Sequence, residues 1–342
     1  MQVRKTQFHG VEVPVISLEK GEEAIIVSDT HFGLKYKEKF MSKFKEFEKF
    51  LKSFTDTKRP ALLVLLGDIF EFWTARASEI LFSALSPLRQ LVKLDSNIVY
   101  VVGNHDRIAA HLNKGGVLEG EKLIIAPDYV VLECGGKRGL LFHGHQLDWK
   151  FIRLRWIWRV ETYIYLLSET LSVLPWALEW ILALGYITIL PLLLYLTEGA
   201  PLTYRAFTLI SALLLLAPII VLLWRAVQDN VWYGVVQPLS YKLSKGRLRG
   251  KTIASGQVRK ALENLLSLVE SNGLGRMDFV IFGHTHVPGL IKDENGKIIA
   301  NTGGWVEGLE GSSCSFLKVS DEGITLSRWN GSQEEILFFT PF

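Results

Sequence analysis

Short apolar runs alternate with amphipathic stretches along the first 148 residues. The runs have the length of buried strands and cover residues 24–27, 62–66, 98–102, 123–125 and 140–142. Between them, residues 40–54 and 78–92 repeat apolar side chains at helical spacing, which predicts two amphipathic helices. Strands that alternate with helices in this way indicate an α/β sandwich.

The same alternation resumes near the carboxyl terminus. A helix is predicted at residues 258–269, and strands are predicted at residues 279–282, 298–300, 316–319 and 324–327. We therefore expect residues 1–150 and 250–342 to form one α/β domain of the sandwich type flanked by helices. Residues 151–249 are expected to be an insertion in that domain.

The inserted segment has a different pattern. Residues 180–197 and 206–224 contain no charged side chain. Each run has about the length that crosses a bilayer core of ~30 Å, so the two predict a transmembrane hairpin. An amphipathic helix on the membrane surface is predicted before it. Its apolar positions are Ile157, Val160, Ile164, Leu167 and Leu171.

Positively charged residues lie on both sides of the predicted hairpin, and only Arg205 lies in its connecting loop. The flanking residues are Arg153, Arg155, Arg159, Arg225, Lys242, Lys245, Arg247 and Arg249. This asymmetry predicts that both outer segments, and hence the catalytic domain, face the cytoplasm. The alternative is a helical hairpin buried in a homodimer or serving as an apolar lid, which Pro191 and Pro218 favour.

Composition narrows the class of protein. The chain has 342 residues, of which 49% are hydrophobic, so it is long and apolar enough to fold around a sizeable core. Its mean hydropathy of +0.22 favours contact with lipid or a partner. The net charge of +3 gives no basic field, and no nucleic-acid partner is expected. The two cysteines exclude a disulfide framework and a thiolate zinc site.

Six of the eight histidines lie in short segments that each follow a predicted strand. These segments are Asp29-Thr30-His31, Gly103-Asn104-His105-Asp106, His143-Gly144-His145 and Gly283-His284-Thr285-His286, and Gly67-Asp68 follows a further strand. Sheets of α/β proteins gather their ligands at the carboxyl ends of strands. The segments together supply enough nitrogen and oxygen donors for two metal ions.

In this order the segments resemble the five motifs of the calcineurin-like metallophosphoesterase superfamily. The resemblance implies one metal ion on Asp29, His31, Asp68 and His286, and a second on Asp68, Asn104, His143 and His284. It favours manganese, and the same donors are also compatible with iron or zinc. It further implies that His105 is a general acid facing the leaving oxygen, oriented by Asp106. Two divalent ions would activate water and neutralise developing charge on the phosphoryl group.

A narrower resemblance begins at Gly67-Asp68-Ile69-Phe70-Glu71-Phe72-Trp73. This stretch is similar to that of the UDP-2,3-diacylglucosamine pyrophosphohydrolases, which cleave a lipid precursor at the membrane surface and carry a helical cap. The chain departs from that family in two places: His105 stands where the family has Arg, and His145 stands where it has Asp. The resemblance implies a membrane-anchored enzyme that cleaves a lipid-linked phosphate or pyrophosphate and lies against membrane lipid.

Two other functions are compatible with the same residues. A membrane-tethered enzyme could act on a soluble nucleotide or phosphodiester instead. A non-catalytic membrane scaffold is the third hypothesis. It is disfavoured because every ligand position carries a side chain that can bind metal, and His105 can act as an acid.

Overall fold

Two seven-stranded mixed β-sheets make up most of the computed structural model of this chain. The structure describes residues 1–8, 11–36, 39–56, 59–72, 75, 77–110, 122–147, 176–197, 199–213, 216, 219, 252–307 and 314–342. The strands are β1 (Gln2–Phe8), β2 (Val11–Ser17), β3 (Ala24–Val27), β4 (Lys35–Tyr36), β5 (Lys39–Phe40), β6 (Leu62–Leu66), β7 (Asn97–Val101), β8 (Leu123–Ala126), β9 (Tyr129–Cys134), β10 (Lys137–Phe142), β11 (Phe279–Phe282), β12 (Gly289–Lys292), β13 (Ile298–Asn301), β14 (Ser315–Ser320), β15 (Gly323–Trp329) and β16 (Glu334–Pro341). The helices are α1 (Phe44–Asp56), α2 (Ala77–Lys93), α3 (Trp176–Leu196) and α4 (Gly256–Val269).

The first sheet has the strand order β16-β15-β14-β3-β6-β7-β8. Its strands β3, β6, β7 and β8 are parallel neighbours. All five residues of β6 are buried, as expected for a strand covered on both faces. Helices α1 and α2 lie between successive parallel strands in the chain. Phe47, Phe50 and Leu51 of α1 pack into the apolar cluster that covers this sheet.

The second sheet has the strand order β1-β2-β9-β10-β11-β13-β12. Strand β11 lies between β10 and β13 and is parallel to both. Helix α4 packs against this sheet through Val258, Leu262 and Leu265. Between the two sheets lies an apolar core that includes Ile26, Val64, Leu141, Ile281 and Leu317. The layers are therefore helices, sheet, sheet and helix.

The predicted α/β sandwich is confirmed in the described residues, and all nine predicted strands are present within three residues of the expected bounds. The predicted helix 40–54 is wrong at its start. Phe40 pairs with Lys35 in the two-stranded β4–β5 hairpin, so the helix begins at Phe44. Most of β1 is exposed and carries no apolar run, so this strand was not predicted. Strands β2, β4, β5, β9, β12 and β16 were not predicted either.

The predicted insertion is only partly described. Helix α3 covers much of its first uncharged run, and residues 202–213 are also helical. The predicted amphipathic helix over 157–171 and the flanking basic residues of 225–249 lie outside the described residues. Within the part of the chain that the structure describes, no helix has the length and apolar character needed to cross a membrane.

Candidate metal centre

The predicted ligands lie at the carboxyl ends of strands from both sheets. Asp29 and His31 follow β3, Asp68 follows β6, and Asn104 follows β7. From the second sheet, His143 follows β10, and His284 and His286 follow β11. Strands β3, β6 and β7 are parallel neighbours, as are β10 and β11. The ends of the two sheets therefore bring these side chains into one centre.

One group of possible metal ligands consists of Asp29, His31 and His286, whose ligand atoms all lie within 4.8 Å of one another. His286 Nε2 lies 3.1 Å from Asp29 Oδ1, and His31 Nε2 lies 3.7 Å from the same oxygen. All three residues are buried. Two imidazoles and a carboxylate suit a divalent ion of the first transition row.

A second group consists of Asp68, His143 and His284, whose ligand atoms also lie within 4.8 Å of one another. Asp68 Oδ2 lies 3.1 Å from His143 Nε2 and 3.8 Å from His31 Nε2, so it faces both groups. Asn104 is buried, and its Oδ1 accepts no hydrogen bond from any described residue. Burial of an oxygen that accepts no hydrogen bond is energetically unfavourable unless a cation binds it. Asn104 Oδ1 is therefore suited to be a metal ligand.

The donor set of the two groups suits two divalent metal ions held side by side. Both groups consist of imidazole nitrogens and carboxylate oxygens, and neither contains a cysteine. Asp68 faces both groups. The residues of the two groups, together with Asn104, would hold the ions. These donors are compatible with manganese, iron or zinc.

Five of the predicted ligands have a left-handed backbone conformation, which is uncommon for residues other than glycine. They are Asp29 (φ 54°), His31 (φ 44°), Asp68 (φ 52°), His284 (φ 65°) and His286 (φ 60°). Strained residues of this kind concentrate at functional sites, where the surrounding structure holds them in place. Their concentration here supports a constrained ligand set.

Two motif glycines allow close packing behind the ligands. A Cβ atom at Gly67, where φ is +82°, would lie 2.5 Å from His143 Nδ1. A Cβ atom at Gly103 would lie 2.2 Å from Asp68 Oδ1. Any side chain at these positions would therefore displace a ligand, which explains why glycine precedes Asp68 and Asn104.

Hydrogen bonds to the protein orient the ligand side chains. His143 Nδ1 lies 2.9 Å from the Leu66 carbonyl oxygen, which leaves Nε2 directed at Asp68. The amide of His105 donates to Asp68 Oδ1 at 2.8 Å. The amide of His284 donates to Asp29 Oδ2 at 3.0 Å. Such contacts fix ring tautomers and carboxylate rotamers before any ion binds.

The ionisable groups of the centre shift one another's pKa values strongly. Burial alone raises the pKa of Asp29 and of Asp68, but nearby histidines outweigh it and both values fall well below the usual range. Burial lowers the pKa of His31, whereas Asp29 and Glu71 raise it to a net value of about 10. The metal-free centre therefore holds protons that metal ions would displace.

Glu71 was not among the predicted site residues, yet its carboxylate joins two of them. Glu71 Oε2 lies 2.9 Å from His31 Nδ1, and Oε1 lies 2.9 Å from His105 Nδ1. Burial raises the pKa of Glu71, but His105 and His31 lower it far more, so the carboxylate is ionised. The only signal in the sequence is a carboxylate three residues after Asp68.

Asp106, which the resemblance implies to orient His105, accepts several buried hydrogen bonds from neighbouring loops and from Tyr100. Its carboxylate accepts hydrogen bonds from the amides of Gly103 and Ile69 at 2.6 and 2.7 Å, and from the Tyr100 hydroxyl at 2.6 Å. These bonds tie the loop after β7 to the loop after β6. The His105 ring is bonded to the carboxylate of Glu71. The orienting role of Asp106 therefore stays a prediction, and Glu71 is a second carboxylate in contact with the histidine.

His145 lies beside the predicted ligand His143. His145 is buried, with its ring centroid 5.5 Å from that of His143. The pKa of His145 lies well below the usual range for histidine. Burial is the largest cause, and the positive charges of His143 and Arg107 lower it further. Phe70 packs against Phe72, while Trp73 lies outside the described residues.

Comparison with known proteins gives one family match. A family model described as calcineurin-like phosphoesterase matches residues 24–205, which is 182 of the 342 residues. No curated protein matches the chain. The chain has 14% identity to a dimetal phosphatase from Danio rerio, with a TM-score of 0.43 over 94% of this chain and 100% of that one. It has 11% identity to Vps29 from Chaetomium thermophilum, with a TM-score of 0.36 over 94% of this chain and 98% of that one.

The family match and the clustered ligands agree on the reaction class. The match spans the segments that supply Asp29, His31, Asp68, Asn104 and His143. The chain is therefore a metal-dependent phosphoester hydrolase, and it belongs to the calcineurin-like phosphoesterase family.

Proposed function

We propose that this chain hydrolyses a phosphate or pyrophosphate ester of a lipid-linked substrate, with two manganese ions at the centre and His105 as general acid. The observation that carries the chemistry is the position of Asp68 between the two ligand groups, 3.1 Å from His143 and 3.8 Å from His31. When bound, the metal pair would supply a water molecule activated near neutral pH and positive charge beside the phosphoryl group.

His105 is the residue best placed to protonate a leaving oxygen. Its Nδ1 is held by Glu71, and its Nε2 lies 4.0 Å from Asp68 Oδ2, so Nε2 is directed toward the centre. The side chain is 15% exposed, whereas the ligands around it are almost fully buried. An imidazole at the open side of the centre can donate a proton from Nε2 as the ester bond breaks.

A lipid-linked substrate is supported by two further observations. The aromatic stretch after Asp68 resembles that of enzymes that cleave a lipid precursor. In addition, Ile187, Leu192 and Leu196 of α3 expose 52%, 54% and 67% of their surface. We propose that residues 151–249 form an insertion that anchors the domain of residues 1–150 and 250–342 to a membrane, on its cytoplasmic side.

A soluble nucleotide or phosphodiester is the second candidate substrate. It is favoured by His105, which stands where the lipid-precursor enzymes have Arg. A histidine that acts as general acid protonates the leaving oxygen whether or not the leaving group carries a lipid tail. The same centre could therefore cleave a water-soluble ester.

A substrate panel distinguishes the two candidates. The full-length protein would be assayed with manganese against lipid phosphates, nucleoside-diphosphate lipids and water-soluble esters that share their leaving groups. We expect higher kcat/KM for the lipid-linked member of each pair. Equal values, or a preference for soluble nucleotides, would contradict the lipid assignment. The Asp68→Ala protein serves as the inactive control.

A further inference from the structure

The outer surface of the α1–α2 helix pair combines exposed apolar side chains with exposed positive charge. On α2, the exposed apolar residues are Leu81, Phe82, Leu85, Leu88 and Val92. Leu81 and Phe82 each expose 66% of their surface, and Val92 exposes 84%. The side of α2 that packs on the sheet is formed by Ile80, Ala84, Pro87 and Leu91 instead. The exposed residues are therefore a separate apolar surface that the described core does not use.

The exposed charged residues on these two helices are all basic within the part of the chain that the structure describes. They are Lys45, Lys49, Lys52, Arg89 and Lys93. On α1, the three lysines recur at spacings of four and three residues, opposite the buried Phe47 and Leu51. The acidic residues Glu46, Glu48 and Glu79 are half-buried. Positive charge therefore dominates the outer surface of the pair.

The apolar and basic parts of this surface are adjacent. Phe82 of α2 stacks on Phe40 with ring centroids 5.5 Å apart, and its centroid lies 6.2 Å from that of Phe44. Phe44 directly precedes Lys45 at the start of α1. Lys35 places its ammonium group 4.7 Å from the centroid of Phe40. Phe82 therefore lies beside the row of lysines.

We propose that the outer surface of α1 and α2 binds an anionic lipid surface, with Phe82 and Leu85 entering the headgroup region and Lys45 and Lys49 contacting acidic headgroups. Leucine and aromatic side chains bordered by lysines are typical of helices that lie in the membrane interface. Each lysine near an anionic membrane adds to the electrostatic attraction, which decays with distance from the membrane over about one Debye length.

Two other occupants fit the same surface less well. A second copy of the chain, paired through identical surfaces, would bring the same five positive charges against each other. Nucleic acid would match the charge, but exposed leucine and valine offer no hydrogen bonds to phosphates or base edges. Charge complementarity together with exposed aliphatic side chains therefore favours lipid.

The test measures partition of the full-length protein between solution and vesicles. One set of vesicles contains phosphatidylcholine alone, and the other also contains phosphatidylserine. The wild type should bind the anionic vesicles more tightly. Lys45→Gln with Lys49→Gln should lower that partition about 30-fold, which is about 2 kcal/mol for two lysines. Phe82→Ser with Leu85→Ser should lower it roughly tenfold.

The matched control is Arg259→Gln with Lys260→Gln. These exposed residues lie on α4, which covers the other sheet, and they remove the same charge. The control should partition as the wild type does. All variants keep residues 151–249, so any lipid contact made there cancels in the comparison. Equal effects of the two charge-removing pairs, or equal binding to both vesicle types, would overturn the proposal.

Light scattering tests whether the surface binds a second copy of the chain, and an oligonucleotide-binding assay tests whether it binds nucleic acid. If Leu85→Ser converts a dimer to a monomer without changing vesicle binding, the surface pairs two copies and the proposal is wrong. If Lys45→Gln with Lys49→Gln weakens oligonucleotide binding and leaves vesicle binding unchanged, the lipid proposal is wrong as well. Turnover of a soluble phosphoester should be unchanged in these variants. Failure of the lipid proposal is therefore distinguishable from failure of the proposed enzyme activity.

Discussion

Glu71 Oε1 lies 2.9 Å from His105 Nδ1. The other carboxylate oxygen of Glu71 lies 2.9 Å from His31 Nδ1, so one buried side chain contacts both a predicted metal ligand and the proposed general acid. An ionised carboxylate in this position fixes both rings with Nδ1 protonated and Nε2 directed at the centre. Partners of this kind set the orientation and basicity of the imidazoles they contact.

We expect Glu71→Gln to lower kcat by roughly tenfold to a hundredfold, because the glutamine NH2 group cannot accept the hydrogen bond that one of the two imidazole rings donates to the carboxylate. The measurement is steady-state turnover of a soluble phosphoester with excess manganese, combined with metal analysis. Glu79→Gln is the matched control, since Glu79 is half-buried on α2 and pairs with Lys35 at 3.3 Å. Equal turnover of the two variants would contradict the orienting role.

His105→Ala should retain both metal ions and lower kcat by ~10²–10⁴, the range for loss of a general acid. The loss should be largest for alkyl esters, whose leaving oxygen needs a proton, and smallest for nitrophenyl esters. Turnover would be compared across a series of leaving groups of increasing basicity. An equal loss across the series would show that His105 positions the phosphoryl group instead.

Asp68→Ala should abolish turnover and reduce the binding of both metal ions, because Asp68 faces both ligand groups. Elemental analysis after dialysis would give the metal content of each chain. Asp278→Asn is a suitable control, because that partly exposed carboxylate lies near Lys137, away from the centre. Two ions per chain in Asp68→Ala, together with normal turnover, would refute the shared-ligand assignment.

The metal-free protein should become less stable as the pH rises above neutrality. Burial lowers the pKa of His143, but Asp68 and Asp29 raise it to about 9, and the pKa of His31 is about 10. Both folded values lie above the ordinary 6.5, so the stabilisation they provide is complete below pH 6.5 and lost as the pH rises through 9 and 10. The slope is about 1.4 kcal/mol per pH unit for each titrating histidine.

This dependence should disappear when metal is bound, because ligand imidazoles are then neutral. Urea unfolding at several pH values would measure it for the metal-free and metal-loaded proteins. Calorimetry in two buffers that differ in ionisation enthalpy should also detect proton release on metal binding at neutral pH. Rising stability of the metal-free protein across this range would contradict the assignment.

The ligand positions could be predicted from the sequence because each follows an apolar run that forms a buried strand. Strand β6 is apolar throughout and fully buried, so Asp68 had to lie at its carboxyl end. The segment Gly283 to His286 follows β11 for the same reason. The apolar runs in the sequence predicted these strands. Because the strands pair in parallel, their carboxyl ends lie at the same edge of the sheet and the ligands come together there.

The contacts of Glu71 and Asp106 could not be predicted in this way. Asp106 is adjacent to His105 in the chain, which suggested contact, but the turn after β7 directs its carboxylate to the Gly103 amide and to Tyr100. Glu71 is 34 residues from His105 in sequence, and only the pairing of β6 with β7 brings the two together. Contacts across a sheet edge leave no local pattern in the sequence.

Asp106→Ala should destabilise the fold rather than remove a catalytic group. Three buried donors would lose their acceptor: the Gly103 and Ile69 amides and the Tyr100 hydroxyl. Each unsatisfied buried donor costs about 1–3 kcal/mol, so the free energy of unfolding should fall by roughly 3–9 kcal/mol. Tyr100→Phe removes one donor and leaves the two amide bonds intact, so its cost should be about 1 kcal/mol.

Urea unfolding of the metal-free proteins would measure both losses, and turnover would be expressed per folded molecule. Because the amide bonds of Asp106 hold the loop that carries Asn104 and His105, a modest fall in turnover should accompany the loss of stability. The decisive comparison is with His105→Ala, in which turnover should fall while the urea midpoint stays near that of the wild type. If Asp106→Ala instead keeps the wild-type midpoint and shows the leaving-group dependence of His105→Ala, Asp106 acts in proton transfer and its structural role is wrong.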